Sequence, residues 1–378
     1  MKAKYLLIVA AATLLASCAE NTVLNGLDRG DNTDYPIGFG IYTDKATRGN
    51  NTEGLEKYHT QFVVFGTKTS TVYDQIFQVF EGDTVSYTAG SWIYSPLRFW
   101  DNQAKFSFVA IAPSAKYITY SKTDSVADPA GDYVTVDGGY TLVGTNLQNG
   151  TGTAEINFGF TGEDSIDADI MTAQKITDQH GATHPEKVDL LFSHVLAKLN
   201  ITIRKTAVLD QQQVYIKKVE ITGLDNHGVY AQKLYSDSTS GWISSNTDTT
   251  YVVGWKADTT LEKGLLLPAG ETPKYFVESL IMPQDIRKDT INAQELHMDY
   301  WINNQIYKYN LKLRYNDTLT NQAGQDSIVE RTVFDSFKDR NKYTIKLTID
   351  PEAIIFNIKA QSWSENDSTI SVSQKVNL

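Results

Sequence analysis

Short runs of alternating apolar and polar residues recur along most of the chain after Pro36. Each run has Ile, Val, Leu, Phe or Tyr at every second position, and clusters of Gly, Asn, Asp and Ser separate the runs. Side chains of a β-strand alternate between two faces, so this spacing predicts strands with one apolar face. The clearest runs are Ile37/Phe39/Ile41, Ile156/Phe158/Phe160, Leu199/Ile201/Ile203, Tyr307/Tyr309/Leu311/Leu313 and Tyr343/Ile345/Leu347/Ile349.

Two further runs are apolar at almost every position, at residues 62–65 and 106–112. They predict central strands that are buried on both faces. Helical spacing of apolar residues is rare, and one short helix is predicted around residues 169–176. The pattern as a whole predicts an all-β fold built from β-sandwiches rather than a βαβ architecture.

The length of the chain exceeds that of one typical hydrophobic core and predicts two domains. A polar stretch at residues 177–186 is the best candidate for a linker between them. The sequence therefore predicts an N-terminal β-sandwich domain over residues 36–186 and a C-terminal β-sandwich domain over residues 187–378. Residues 18–35 are polar and rich in turn-forming residues, which predicts a flexible tether in front of both domains.

The N-terminus has a basic start, an apolar run and a small-residue junction that ends at Cys18. This arrangement predicts a lipoprotein signal peptide over residues 1–17, with Cys18 as the lipidated residue. The alternative is an unmodified thiol after an ordinary signal peptide. The apolar run is too short to span a bilayer as a helix, which needs about 20 apolar residues.

The composition argues against several classes of protein. The 45 acidic residues outnumber the 34 basic ones, for a formal charge of −11, and no basic stripe follows the sequence, so nucleic acid is not an expected partner. Cys18 is the only cysteine, which excludes an intrachain disulfide and a cysteine-type zinc site. His180 and His184 lack a third metal ligand, and no nucleophile motif is present. We expect no enzyme activity, no cofactor and no metal.

Several motifs occur in an order that is familiar from one family. They are Ala-Thr-Arg-Gly at residues 46–49, the Trp92/Tyr94/Trp100 block, Leu-Leu-Phe-Ser-His-Val-Leu-Ala-Lys-Leu at residues 190–199, and the late Trp363. Together they make the chain resemble the fimbrillin family of Bacteroidota, the subunits of type V pili. The resemblance implies two tandem transthyretin-like β-sandwiches and other fimbrial subunits as partners.

The resemblance also implies a maturation route. Fimbrillins are exported as lipoproteins and cut after an arginine, which removes the first strand and opens a groove for a strand of a neighbouring subunit. In this chain the matching residues are Arg48 and Gly49 at the cut, and Ile37, Phe39 and Ile41 in the removed strand. Cleavage at Arg29 is the alternative, and it would release the lipid while leaving that strand in place.

The last nine residues alternate again, with Ile370, Val372, Val376 and Leu378 on one face. An extended segment with alternating apolar residues can add to an open sheet edge, so this tail is a candidate donor strand. The alternative is that the tail closes the sheet of its own domain. Storage in its own sheet followed by donation reconciles both interpretations.

These observations predict a structural subunit of a cell-surface fimbria, located at the outer membrane or in the extracellular fimbrium, that supports adhesion. Before processing, the lipid would hold it to the outer membrane, and its receptor would lie on a host or bacterial surface. The alternative is an anchored glycan-binding lipoprotein that uses Trp92, Tyr94 and Trp100 as sugar platforms. Stalk, accessory, tip and anchor positions all remain open.

Overall fold

The computed structural model describes residues 31–43, 55–57, 59–72, 76–113, 118–122, 140–145, 153–159, 169–180, 187–225, 227–233, 241–243, 250–287, 293–320, 326–362 and 370–377. In these residues the regular structure is β-strand, apart from two short 3-10 helices at Leu55–Lys57 and Ala207–Leu209. The prediction of an all-β fold is confirmed. Over the same residues, no helix has the length and apolar character needed to cross a membrane.

The strands up to residue 194 build most of the N-terminal half. They are β1 (Asp31–Pro36), β2 (Phe39–Thr43), β3 (Gln61–Ser70), β4 (Ile76–Thr88), β5 (Ser91–Ile93), β6 (Phe99–Asp101), β7 (Ala104–Ala112), β8 (Ile118–Lys122), β9 (Tyr140–Thr145), β10 (Thr153–Gly159), β11 (Met171–His180) and β12 (Val188–His194).

The remaining strands follow from residue 197 to the C-terminal tail. They are β13 (Ala197–Lys205), β14 (Val214–Asp225), β15 (His227–Lys233), β16 (Gly241–Ile243), β17 (Thr250–Lys256), β18 (Leu265–Leu266), β19 (Lys274–Ile281), β20 (Gln284–Asp285), β21 (Glu295–Ile302), β22 (Gln305–Lys312), β23 (Arg314–Thr320), β24 (Asp326–Thr332), β25 (Ser336–Phe337), β26 (Asn341–Ile349), β27 (Ala353–Ser362) and β28 (Ile370–Asn377).

A seven-stranded sheet in the order β2-β12-β11-β7-β3-β4-β5 dominates the N-terminal half. The central strands β3 and β7 hold the two continuous apolar runs, and both runs are buried on both faces, as predicted. Phe62 and Val64 lie in a first hydrophobic core on one face of the sheet. Val63 and Phe65 face the opposite side and join a second core that extends into the C-terminal half.

A five-stranded sheet in the order β16-β15-β10-β9-β8 combines strands from both halves of the chain. It packs near the seven-stranded sheet, where the Trp242 Nε1–H donates to the Val195 carbonyl at 2.7 Å. Beyond residue 186, β12 pairs antiparallel with β11 and parallel with β2. The first sheet therefore continues past the boundary predicted at residue 186, and the two halves share strands.

The C-terminal half contains two facing sheets, β19-β13-β26-β27-β28 and β17-β14-β21-β22, with β18 paired to β14. Alternate residues of β13 and β26, among them Ile201 and Ile345, pack in the same core as Val219 and Met298 from the opposite sheet. This is a β-sandwich, and its inward-facing residues are those that the alternation predicted. Three two-stranded ladders, β1-β6, β20-β25 and β23-β24, complete the described pairing.

Three local predictions are wrong. The helix predicted around residues 169–176 is instead part of β11, which is paired on both sides by β7 and β12. Residues 177–180 continue that strand and so are not a linker. Residues 31–35, predicted as the end of the tether, lie in β1, which pairs with β6. In each case backbone pairing with a distant strand decides the structure, and local composition does not reveal it.

Candidate functional site

Strand β2 lies at one edge of the seven-stranded sheet and pairs with a single neighbour there. It runs parallel to β12, from Phe39 opposite Val188 to Thr43 opposite Phe192. Just before it, the Val188 N–H donates to the Gly38 carbonyl at 2.8 Å. Because an edge strand is held by one ladder, removal of β2 would leave the β12 edge unpaired.

The predicted removable residues are part of the first core. Ile37, Phe39 and Ile41 are 1%, 3% and 9% exposed. The Phe39 ring contacts four other aromatic rings, with centroid distances of 5.6 Å to Phe80 and 6.1 Å to Phe62. The other two contacts are with Tyr94 at 5.8 Å and Phe108 at 5.9 Å. Strand β2 therefore contributes apolar side chains to the aromatic part of the first core.

Two hydrogen bonds fix the backbone just ahead of β2. The Ile37 N–H donates to the Arg98 carbonyl at 2.8 Å, and the Tyr94 hydroxyl donates to the Ile37 carbonyl at 2.7 Å. Burial raises the pKa of the Tyr94 phenol to about 12, so the hydroxyl keeps its proton and remains a donor. Tyr94 is thus a fixed main-chain contact in the groove that β2 fills.

Strand β1 extends the same terminal segment to a second ladder. It pairs antiparallel with β6, from Asp31 opposite Asp101 to Pro36 opposite Phe99. Asp101 is buried and accepts a hydrogen bond from Lys68 at 2.9 Å, which ties β6 to β3. The segment before residue 44 therefore contributes one strand to each of two neighbouring ladders, and both strands precede Arg48.

The rings proposed as sugar platforms belong to the first core. Trp100 is fully buried, and Tyr94 contacts the terminal segment as described above. Trp92 is partly buried and packs on Phe62 at 5.1 Å and on Tyr87 at 5.2 Å. These rings do not present an open face together, so the glycan-platform alternative is wrong for these residues.

The C-terminal tail forms β28, the outermost strand of its sheet. It pairs antiparallel with β27 alone, from Ala353 opposite Asn377 to Ala360 opposite Ile370. Val372 and Val376 occupy the positions opposite Ile358 and Ile354. The structure thus has the tail in the sheet of its own chain, the arrangement that the alternative interpretation predicted.

The remaining predicted site residues, Cys18, Arg48, Gly49 and Leu378, lie outside the described residues. Among those that are described, Ile37, Phe39 and Ile41 come together in one core. Ile370, Val372 and Val376 lie in a different sheet, in the C-terminal half. The two candidate strands therefore occupy two separate sheet edges.

The sequence alone did not indicate a polar cluster that contains His59, Asp169 and His194. His194 is 5% exposed and lies 2.9 Å from an Asp169 carboxylate oxygen. His59 Nε2 lies 2.5 Å from the Asp169 backbone carbonyl, and burial lowers the pKa of His59. These residues are 110 and 25 positions apart from Asp169, so no local motif could have signalled the cluster.

Comparison with known proteins identifies the family. Residues 46–363 match the family model described as fimbrillin-like. This chain belongs to that family. The fimbrillin is 26% identical over 406 residues to fimbrium subunit Fim1C of Phocaeicola vulgatus, across 98% of this chain and 100% of the relative. A solved fimbrial protein from Bacteroides vulgatus is 19% identical with a TM-score of 0.49, covering 87% of this fimbrillin and 99% of that chain.

The family predicted from the sequence motifs is therefore confirmed. The protein is a fimbrillin-like fimbrial subunit, a member of a group that contributes to cell-surface appendages and adhesion. Both β2 and β28 lie outside the matched residues 46–363.

Proposed function

We propose that the protein is exported as a lipoprotein through Cys18, is cut between Arg48 and Gly49, and then polymerises with other fimbrial subunits by strand exchange. The lipid holds the precursor to the outer membrane until the cut releases it. The polymer is an extracellular fimbrium that supports adhesion to a host or bacterial surface.

The position of β2 is the observation that carries this proposal. It is an edge strand, it precedes Arg48 in the chain, and its side chains fill the first core. A cut after Arg48 would leave the terminal segment attached only by non-covalent contacts. Loss of the lipid and loss of the strand would then follow from one cleavage.

Removal of β2 would leave an apolar groove beside an unpaired sheet edge, which a replacement strand could fill. Full burial of an aliphatic or aromatic side chain contributes roughly 1.5–3 kcal/mol, so Ile37, Phe39 and Ile41 together contribute about 5–9 kcal/mol. The unpaired β12 edge and the Tyr94 hydroxyl would also lose main-chain partners. An extended apolar strand from a second subunit supplies both kinds of contact.

The tail is the proposed donor. Among the described strands β28 pairs with β27, so its withdrawal breaks this one main-chain ladder. Its alternating sequence places four apolar residues, Ile370, Val372, Val376 and Leu378, on one face of an extended strand. The presence of both a removable strand and a donor-type tail favours a stalk or accessory subunit.

The N-terminus of the protein recovered from intact cells provides the test. Edman sequencing or mass spectrometry should find a start at Gly49 in the polymer and a lipidated Cys18 in the uncut precursor. Arg48→Ala should block maturation and polymerisation, whereas Arg29→Ala is the matched control and should change neither. Deletion of residues 370–378 should leave cleavage intact and abolish donation.

Two outcomes would contradict the proposal. A polymer that retains Ile37, Phe39 and Ile41 would show that β2 is not exchanged. A protein that is cut at Gly49 and stays monomeric would separate cleavage from assembly.

A further inference from the structure

The outer face of the sheet β19-β13-β26-β27-β28 is basic although the protein as a whole is acidic. Along β13, Leu199, Ile201 and Ile203 are buried in the core, so the alternating residues lie on the opposite face. On β13, β26 and β27 this opposite face contains Lys198, Arg204, Lys342, Lys346 and Lys359. Glu278 of β19 also lies on this face and pairs with Lys198, so the five cations outnumber this acid and the face is positive in a chain with a formal charge of −11.

A surface cleft of about 330 Å³ lies within this face. That volume is within the range of pockets that hold small ligands, roughly 300–1,000 Å³. The cleft is lined by Thr202, Arg204, Pro273, Lys346, Leu347, Thr348, Asn357, Ile358 and Lys359. The three cations and the hydroxyl and amide groups come from the adjacent strands β13, β26 and β27, and Pro273 comes from the loop before β19.

Two of the three cations have no acidic partner among the residues that the structure describes. Lys346 is exposed and Lys359 is half-buried, and neither forms an ion pair there. Arg204 donates from Nε to the Thr348 hydroxyl at 3.0 Å and from Nη1 to Glu271 at 3.3 Å. These bonds orient the guanidinium group and leave its other N–H donors for a ligand.

Strand register brings the cations close together. Thr202 lies opposite Lys346, and Lys346 lies opposite Asn357. Arg204 lies opposite Thr348 and Lys359 opposite Thr344, so both are diagonal neighbours of Lys346, on opposite sides of it. Diagonal neighbours in a sheet are about 7–8 Å apart, within reach of long side chains. Like charges at this spacing repel one another, and one bound anion would relieve the repulsion.

The neutral groups at the cleft suit a saccharide. Tyr275 does not line the cleft itself, but it lies opposite Thr202 in the register and is 69% exposed, so its side chain is accessible next to the cleft. An exposed aromatic ring can pack against the apolar face of a sugar ring, while hydroxyl and amide side chains bond to sugar hydroxyls. The main-chain groups of β13, β26 and β27 are already paired on both sides, so an acidic peptide could not add as a strand there.

We propose that this cleft binds an acidic saccharide. Its carboxylate or sulfate group lies between Lys346 and Lys359. The sugar ring packs against Tyr275, and its hydroxyls bond to Asn357. The site is formed by strands that remain whether or not β28 is donated, so it stands apart from the proposed strand exchange.

Isothermal titration calorimetry on the purified protein tests the site. The probe is a glucuronic-acid disaccharide, compared with its neutral glucose counterpart, inorganic sulfate and hexaglutamate. Charge pairs at exposed positions are weakened by solvent, so Lys346→Gln and Lys359→Gln should each weaken binding about two- to fivefold. Lys308→Gln removes the same charge from an exposed position on β22 and is the matched control.

The aromatic contact has a separate readout. Tyr275→Ala should weaken binding of the disaccharide and leave any binding of inorganic sulfate unchanged. The substituted side chains are exposed or half-buried, and an unchanged thermal unfolding midpoint in each variant confirms that the fold is intact. Raising the salt concentration should weaken binding of the disaccharide, because salt screens exposed charges.

Four results would overturn the inference. Equal affinity of the parent, Lys346→Gln and Lys359→Gln would place the ligand elsewhere. Equal binding of the neutral disaccharide would remove the role of charge. Inorganic sulfate that binds as tightly as the disaccharide would show an ion site only, and tighter binding of hexaglutamate would identify an acidic peptide as the ligand. Each result is obtained with uncut protein, so none depends on maturation.

Discussion

Replacement of Phe39 by alanine gives a direct test of how strongly β2 holds the precursor together. Phe39 is 3% exposed and contacts the rings of Phe62, Phe80, Tyr94 and Phe108. Its truncation removes apolar contact and leaves a cavity that close-packed neighbours fill only in part. Changes of this kind destabilise a core by about 3–5 kcal/mol.

The free energy of unfolding should be measured on uncut protein that also carries Arg48→Ala. Urea denaturation can be followed by tryptophan fluorescence, whose signal includes the first core because Trp92 and Trp100 lie in or against it. Tyr35→Ala is the control, since Tyr35 precedes β2 in the same terminal segment and is 47% exposed. An exposed substitution of this kind should change stability by no more than about 0.5 kcal/mol.

The same substitution has a second consequence if β2 is the strand that leaves. After cleavage at Arg48, a loss of about 3 kcal/mol in the binding free energy of the terminal segment corresponds to more than 100-fold faster release of that segment. Phe39→Ala should therefore speed polymerisation after the cut, measured by light scattering, although it destabilises the precursor. A loss of stability below about 1 kcal/mol, or an unchanged assembly rate, would refute the assignment of β2 as a tightly packed strand that must leave before assembly.

Three further predictions concern particular contacts. Tyr94→Phe removes the hydroxyl donor to the terminal segment and should cost the uncut protein about 1 kcal/mol in urea denaturation. The loss should be smaller after that segment is removed, when only the longer hydrogen bonds of the hydroxyl with the Arg98 backbone remain. Burial lowers the pKa of His59 below 6.5. As the pH drops below that value, the unfolded state takes up a proton before the folded state does, so the free energy of unfolding should fall. His59→Gln should weaken this dependence of stability on pH. Gly264→Ala places a Cβ 2.0 Å from the Ile216 carbonyl oxygen at a φ of +99° and should destabilise by more than the roughly 1–3 kcal/mol of backbone strain alone. Gly90→Ala, at a φ of +82° with no atom within 4 Å of the added Cβ, should show that strain without the clash.

Much of the strand pattern could be predicted from the sequence because burial imposes a period of two. Ile37, Phe39 and Ile41 are buried together, as are the inward residues of β13 and β26. The continuous runs in β3 and β7 are central strands for the same reason, since neither face meets water. These features depend on which side chains avoid solvent, and the spacing of apolar residues in the local sequence indicates this directly.

The misassigned strand β11 shows where such reasoning fails. Its pairing with β7 shifts register between Ala173 and Ile176 and again between Ile176 and Gln179. Each irregularity interrupts the alternation of side chains between faces, so the apolar spacing no longer has a strict period of two. Strand β11 is held by its ladders to β7 and β12, which are separate segments of the chain. Pairing partners of this kind are not encoded in local periodicity.

The candidate site could be predicted from the sequence only in part, for a related reason. The alternation identifies β2 and the tail as strands, but their positions at the edges of two different sheets depend on the whole topology. Likewise, the basic face on β13, β26 and β27 arises from register across strands that are far apart in the sequence. Cross-strand neighbours decide what a sheet face can bind, and a linear pattern shows only one strand at a time.

The edge positions of β2 and β28 limit how many main-chain hydrogen bonds an exchange between subunits would break. Each strand is held by a single ladder, and a donated strand would restore the ladder along β12, whereas β27 would lose its pairing with β28 and β6 its pairing with β1. The balance then depends on apolar burial: three residues leave with β2, whereas the tail offers four, each worth roughly 1.5–3 kcal/mol when buried. Before cleavage, covalent attachment keeps β2 at high local concentration and so disfavours exchange. Cleavage at Arg48 would act by ending that attachment, which makes the cut the step that commits a subunit to the polymer.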